Sequence, residues 1–370
     1  MRHALDTLGH NVHPAEVPMS RTELLVVDAL DDTLIRSVPL PQAPAVKPSA
    51  AAIKARLAEW ERKYAEAQAP ATLKAVRADW GVFTTWCTNT EVWGLPIEPK
   101  HLVQFLNDQV VLGKKRSTIN RYVATLKLIH KAAGMPDPTD YPDWRLEWKK
   151  IVRLLADRGG NGTKQATGLK SGDVAKILSH MGDSLLDLRD AALIALASDT
   201  LCRESELVVA RVEDLEPSAD DWVLAVHKSK TDQEGIGSQR FCSTETKSRI
   251  DTWCREAGIG RGYLFPAIGR KRREGLGVPN EKHIAAAEVA NIFRRRAEQA
   301  ELPRASTVSG HSTRVGSAVE LIEARASLTE VRFAGGWQSE RMVLQYGKKA
   351  MAGQAAMAEL RRKKRKDGSG

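Results

Sequence analysis

The chain has 370 residues, 42% of them hydrophobic and 28% charged, enough for two ordinary domains with a core each. No apolar run reaches the roughly 20 residues of a bilayer-spanning helix, and the amino terminus lacks the apolar stretch of a signal peptide, so a membrane role is excluded. The formal charge of +10 points to a polyanionic partner, although Arg361, Arg362, Lys363, Lys364, Arg365 and Lys366 supply six of those charges from a tail that reads as solvated.

Residues 1–48 read as a disordered or extended segment: six of the sixteen prolines fall there, PLPQAPAVKP among them. His3, His10 and His13 have no Cys or carboxylate at ligand spacing and read as tail residues. From 49 to 158 the pattern is helical, with helices predicted over 50–68, 71–88, 98–112, 116–133 and 144–157, separated by Pro70, Leu95-Pro96, Gly113 and Met135-Pro136-Asp137-Pro138. In the second helix Leu73, Val76, Trp80 and Phe83 recur at helical spacing, which turns Lys74, Arg77 and Ala78 outward. In the fourth, Tyr122, Leu126 and Ile129 face inward, leaving Thr118 and Arg121 outside. This segment fits a bundle with a solvated basic face; it also fits two helices laid against DNA.

Residues 159–172 are rich in glycine and small polar side chains and read as a linker. A second domain is expected over 173–350. An apolar helix, LRDAALIALASDTL, leads into Cys202-Arg203-Glu204-Ser205-Glu206-Leu207, where Arg203 and Glu206 are three apart on one helical face and partly sheltered. Trp222 to His227 alternates with period two, and Ser238 to Cys242 can return as its partner strand, so Lys230 falls in a small hairpin. Ser243 to Ala257 and about 283–299 read as further helices. The second of these carries Asn291 and Arg294; Asn suits an adenine edge and Arg a guanine edge, each worth about 1–3 kcal/mol of discrimination, while contact with phosphate or solvent is an equal reading. Ser327 and Glu330 form a capping box, and Gly335-Gly336 ends that helix ahead of Trp337. Residues 351–370 read as an oligomerisation helix, with Met351, Ala355, Met357 and Leu360 on one face, followed by the basic tail.

Chemistry concentrates between Ser309 and Tyr346. Arg314 follows His311 by three residues; guanidinium is planar, permanently charged and bidentate toward phosphate oxygens. The Trp337 indole donates and cannot accept, which suits an anionic oxygen, and the Tyr346 phenol can attack phosphorus and hold the product as an ester. Cys87, Cys202, Cys242 and Cys254 are scattered, with no zinc spacing and no paired-carboxylate site, so neither metal nor other cofactor is expected.

The chain resembles the tyrosine recombinases of the phage integrase family over roughly residues 70–360, most densely in TLCRESELVVARVEDL, HKSKT and SGHSTRVG…AGGWQSERMVLQY. An arginine with a nearby glutamate, a hairpin lysine, H-x-x-R, then Trp and Tyr occur in the family's order. The resemblance implies a mainly α, two-domain, C-shaped DNA clamp: a helical amino-terminal domain and an α-rich catalytic domain with a small β-hairpin. It implies that Tyr346 is the nucleophile, that Arg203, Arg314, His311 and Trp337 hold the scissile phosphate, that Lys230 protonates the leaving 5′ oxygen, and that Glu206 orients its neighbours. It further implies a homo-tetramer on two double-stranded DNA sites with inverted repeats, a Holliday junction, and a place in the bacterial cytoplasm at the nucleoid. A type IB topoisomerase or telomere resolvase shares the chemistry without strand exchange. A catalytically silent DNA-binding architectural protein would not need all seven residues.

Overall fold

The computed structural model describes residues 49–160, 165–227, 237–267, 282–354 and 356–367. They fall into two compact units, Met1–Thr163 and Lys164–Gly370.

The first unit has five helices, each within two residues of the predicted bounds: α1 (Ala50–Ala67), α2 (Pro70–Thr90), α3 (Pro99–Val111), α4 (Arg116–Ala133) and α5 (Trp144–Asp157). Their starts follow local chemistry. The Ser49 hydroxyl accepts from the Ala52 amide at 3.2 Å, and α2 and α3 open on prolines whose missing N–H would have had no partner there. An aromatic chain ties the unit together, with Phe83 edge-on to Phe105 at 5.2 Å and Phe105 against Tyr122 at 5.5 Å. Predicted core residues Val76, Trp80, Phe83, Tyr122, Leu126 and Ile129 are buried, whereas Leu73 is half-buried.

Several charged groups inside this unit are paired, while the buried Gln109 Oε1 and Tyr141 hydroxyl have no hydrogen-bond partner among the described residues. Asp79, 2% exposed, accepts two bonds of 2.7 Å from the Arg121 guanidinium and one of 3.2 Å from Thr125. Glu61 takes Arg77 at 3.1 Å. The fully buried His130 ring accepts the Ile97 amide at Nε2, 3.0 Å away, and its Nδ1 lies 2.7 Å from the Leu126 carbonyl, which fixes the neutral ring with its proton on Nδ1.

In the second unit, α7 (Leu185–Thr200) follows α6 (Ser171–Ser179) and is buried nearly all round along its apolar run Ala191–Ala197. It packs on α9 (Thr244–Ala257) and on an antiparallel sheet of β1 (Leu215–Ser218), β2 (Asp221–Val226) and β3 (Ser238–Cys242) in that order, with Leu215 opposite Leu224 and Leu224 opposite Arg240. Strand β1 was absent from the sequence reading; it is four residues long and holds Pro217, which suits only an edge. The core around Leu193, Leu196, Trp253 and Phe265 takes in Ile292 and Phe293 of α10 (Ala286–Gln299). A separate cluster of Leu201, Ala318, Ile322, Val331, Trp337 and Val343 joins α11 (Ser312–Glu323), α12 (Leu328–Gly335) and α13 (Glu340–Gln354). Helix α14 (Ala356–Asp367) ends the described chain.

The arginine run 294–296 does not form one charged face. Arg295 and Arg296 both bond the fully buried Asp190 at 2.8 Å, Arg189 joins it at 2.7 Å, and Arg296 also reaches Asp187 at 2.6 Å. A buried carboxylate is tolerated only when paired, so these cations are committed to the fold.

The segment leading into this unit is fastened to it. The Gln165 amide group donates to the Tyr346 carbonyl at 3.3 Å, the Thr167 and Thr307 hydroxyls are 2.6 Å apart, and the Leu169 amide donates to the Ser312 carbonyl at 2.8 Å. Gly316 of α11 presses on the Leu169 backbone so closely that a Cβ there would collide with it.

Candidate active site

Helix α7 stops where Leu201 turns left-handed, at φ 50°, exposing its carbonyl and starting a new direction. Arg203 then caps the single-turn helix α8 (Glu204–Leu207). Glu206 folds back on it, accepting the Arg203 amide at 2.8 Å with one oxygen and the guanidinium at 2.6 Å with the other. The two side chains are 12% and 2% exposed, which makes this a sheltered pair rather than a surface one. The carboxylate thereby fixes both the backbone and the head group of the arginine.

His311 caps α11 and Arg314 stands on its first turn, 1% exposed. One Arg314 nitrogen, Nη1, donates to the carbonyl that Leu201 leaves free, and the guanidinium carbon sits 4.1 Å over the Trp337 ring. Burial and then the adjacent Arg203 charge push the Arg314 pKa down to about 10, with Glu206 opposing, so the group stays protonated at neutral pH. Arg203 bonds Glu206, whose charge also acts on Arg314, and the surplus of the three groups is positive.

His311 is exposed as a residue, yet its pKa lies below the ordinary imidazole value. Lost hydration at the ring is the largest cause; Glu204 pulls the other way, and Arg314 and Arg203 add to the lowering. The neutral ring is favoured, able to accept at one nitrogen and donate from the other. The Glu204 carboxylate also lies against Gly310, and a Cβ there would displace it.

The capping box forms as the sequence predicts: the Glu330 amide donates to the Ser327 hydroxyl at 3.2 Å, and the Ser327 amide donates to the Glu330 carboxylate at 2.6 Å. Helix α12 then ends at Gly336, whose φ of 58° suits glycine. The Trp337 ring folds back over Gly335, lies 3% exposed, and meets Tyr346 of α13 with ring centres 5.4 Å apart. Tyr346 is half-buried.

Arg203, Glu206, His311, Arg314, Trp337 and Tyr346 are therefore gathered from four places, α8, α11, the turn after α12, and α13; Lys230 lies outside the described residues, between β2 and β3. Arg314 Nη2 and Trp337 Nε1 are buried without a hydrogen-bond partner among the described residues. A free guanidinium N–H of Arg314 and a free indole N–H, with the Arg203 guanidinium nearby, suit an anion with several oxygens, as phosphate is. Among the described residues no three His, Cys, Asp or Glu side chains cluster as a metal site, and no helix is long and apolar enough to cross a membrane.

The other candidates lie on other elements. Lys74 and Ala78 are exposed, Thr118 is half-buried, and Arg77 and Arg121 hold buried carboxylates. Exposed Asn291 donates to Glu288 at 3.3 Å, while the half-buried Arg294 keeps its Nε unbonded among the described residues. The sequence reading passed over Glu204, Arg240 and the Leu201 carbonyl, and motif spacing alone carries no signal for them.

Fold and site together define a mainly helical DNA strand-transfer enzyme of the tyrosine type. The sequence profile of the phage integrase family matches residues 168–352, half of the chain, and the protein belongs to that family, the tyrosine site-specific recombinases. It is 27% identical to the recombinase Cre of Escherichia phage P1 over 75% of this chain and 84% of that protein. It is 28% identical to an integrase/recombinase XerD homologue of Selenomonas ruminantium over 77% of this chain and 84% of that protein. Among solved structures, XerH site-specific recombinase bound to a palindromic difH substrate in a post-cleavage complex aligns with a TM-score of 0.55 at 15% identity, covering 93% of this chain and 98% of its own. The Tn1549 transposon integrase in complex with transposon right-end DNA aligns with a TM-score of 0.55 at 14% identity, covering 80% of this chain and 97% of its own.

Proposed function

We propose that the protein cleaves and rejoins double-stranded DNA at inverted-repeat sites through a 3′-phosphotyrosine, exchanging strands through a Holliday junction within a homo-tetramer. The observation that carries this reading is the pair of buried, unbonded donors, Arg314 Nη2 and Trp337 Nε1, beside the Tyr346 ring. In the proposed reaction the Tyr346 oxygen attacks phosphorus as the bond to the 5′ oxygen breaks. Arg203, Arg314, His311 and Trp337 take up the charge that develops on the non-bridging oxygens. Glu206 holds Arg203, and Lys230 gives a proton to the departing 5′ oxygen. A 5′ hydroxyl from the partner strand reverses each step, so the phosphodiester energy is conserved and no cofactor is consumed.

On this reading both units contact the duplex. Lys74, Arg77, Ala78, Thr118 and Arg121 lie along the duplex and Asn291 and Arg294 face base edges; Arg77 and Arg121, already paired with acids, act mainly by holding their helices. Helix α14 exposes Met357 and Leu360, at 62% and 47%, which suits docking on a neighbouring protomer. The curated relatives come from a phage and a bacterium, in keeping with work at a bacterial nucleoid.

The test is a pool of nicked duplexes with inverted, randomised arms around a randomised spacer, from which protein-linked 3′ ends are recovered under denaturing conditions. The wild-type chain should enrich one symmetric sequence, and Tyr346→Phe should bind that duplex and form no adduct. Adduct formation by Tyr346→Phe would remove the nucleophile assignment. Adducts without sequence enrichment, with relaxation of any supercoiled plasmid and no recombinant joints, would point to a topoisomerase.

A further inference from the structure

Arg240 is 5% exposed on β3, a strand whose pattern is inverted relative to hydropathy: Phe241 beside it is 53% exposed. No carboxylate pairs with Arg240 among the described residues. Its Nη1 donates to the Gln239 carbonyl at 3.3 Å and to the Phe333 carbonyl at 3.4 Å, and Nε is buried without a partner. Burying a guanidinium on such long bonds is costly, and the place it occupies indicates what offsets the cost.

Phe333 supplies one of the last carbonyls of α12, the negative end of that helix, where a cation is favoured. The other side of the guanidinium fills the space beside Gly336, and a Cβ on Gly336 would run into it. Gly336 is the left-handed residue from which Trp337 departs, and Trp337 covers Arg314 at 4.1 Å and meets Tyr346 at 5.4 Å. A continuous line of contact thus runs from β3 through the turn to the unbonded indole N–H.

We infer that Arg240 is a positioning residue for strand cleavage: wedged under the Gly335–Gly336 turn, it holds the Trp337 N–H at the phosphate. This rests on the recombinase reading above. Arg240 touches neither DNA nor the reacting atoms; it acts through Trp337, so its loss lowers the cleavage rate and leaves the grip on DNA intact.

The experiment uses the full-length protein and the duplex enriched from the randomised pool. It compares wild type with Arg240→Met, Arg240→Lys, Trp337→Phe and the Arg240→Met/Trp337→Phe double variant. Single-turnover adduct formation, duplex affinity and thermal melting are measured for each. Arg240→Met should form adduct about tenfold or more slowly with duplex affinity within about twofold of wild type, and Arg240→Lys, which keeps the charge but not the fork, should fall between. The double variant should be no slower than the slower single variant, because both changes remove one contact. Multiplying effects in the double variant, a wild-type rate for Arg240→Met, or a rate loss matched by lost affinity would each overturn the proposal. Should Arg240→Met fail to fold, the same cycle run with Arg240→Lys decides it. If wild type itself yields no Tyr346-linked DNA, the recombinase reading falls instead, before Arg240 is tested.

Discussion

Glu206 serves two donors of the same residue, the amide and the guanidinium of Arg203, and also faces Arg314. Replacing it with Gln keeps the shape, leaves a donor group facing a guanidinium, and removes the one negative charge between two arginines. Glu206→Gln should therefore slow adduct formation by about 10²-fold, the scale seen when an oxyanion-stabilising group is lost, with a smaller effect on duplex affinity; an unchanged rate would show that Arg203 is held by packing alone. His130 makes a pH prediction. Burial pushes its pKa from 6.5 down to about 4, because the charged ring loses its hydration there, with the Leu126 carbonyl opposing; the neutral ring accepts the Ile97 amide. As pH falls below about 6.5 the unfolded chain takes up the proton first, so the first unit loses stability until the folded ring also charges, by on the order of 3 kcal/mol in all. Urea unfolding between pH 7 and 4 should show this fall, and His130→Gln should flatten it; equal slopes would remove His130 as the cause.

At the scale of elements, α12 is short, and its ends decide where Trp337 stands. Ser327→Ala removes the hydroxyl cap and should lower stability by about 1 kcal/mol, read as a drop in denaturation midpoint. Gly336→Ala faces a left-handed backbone and the Arg240 guanidinium together, and should cost more than Ser327→Ala in the same measurement. Boundaries of this kind were legible in the sequence because caps, prolines and glycines act locally: all five helices of the first unit and the end of α12 were expected. The motif residues were legible too, since Arg203 and Glu206, or His311 and Arg314, lie three apart. Arg240 and Glu204 were not. An arginine in SQRFC gives no sign that it, and not Phe241, turns inward; only the packing of α12 over β3 decides that. Nor does a charged run such as 294–296 reveal that Asp190, more than a hundred residues earlier, has claimed two of its members.

For the whole molecule, the proposed reading gives assembly and catalysis to different elements, α14 and the cluster around Arg314. Met357 and Leu360 sit on α14, beyond the clustered site, and nothing in the chain's own core needs them. Met357→Gln with Leu360→Gln should leave the affinity for a single half-site unchanged and abolish higher assemblies on paired sites, as followed by sedimentation; assemblies of wild-type size would place the contact elsewhere. The segment 165–169 has a mechanical consequence. It is the covalent thread into the second unit, and it is tied at one point to the carbonyl of Tyr346 and at another to the helix that carries Arg314. A pull transmitted along the backbone would reach the helix of Tyr346 at Gln165, and at Leu169 the helix that carries Arg314 together with the core of the second unit, of which Leu169 is a member. On the proposed reading, segment 165–169 is thus also a strain gauge, tied to the helices of the proposed nucleophile and of one arginine that would hold the phosphate.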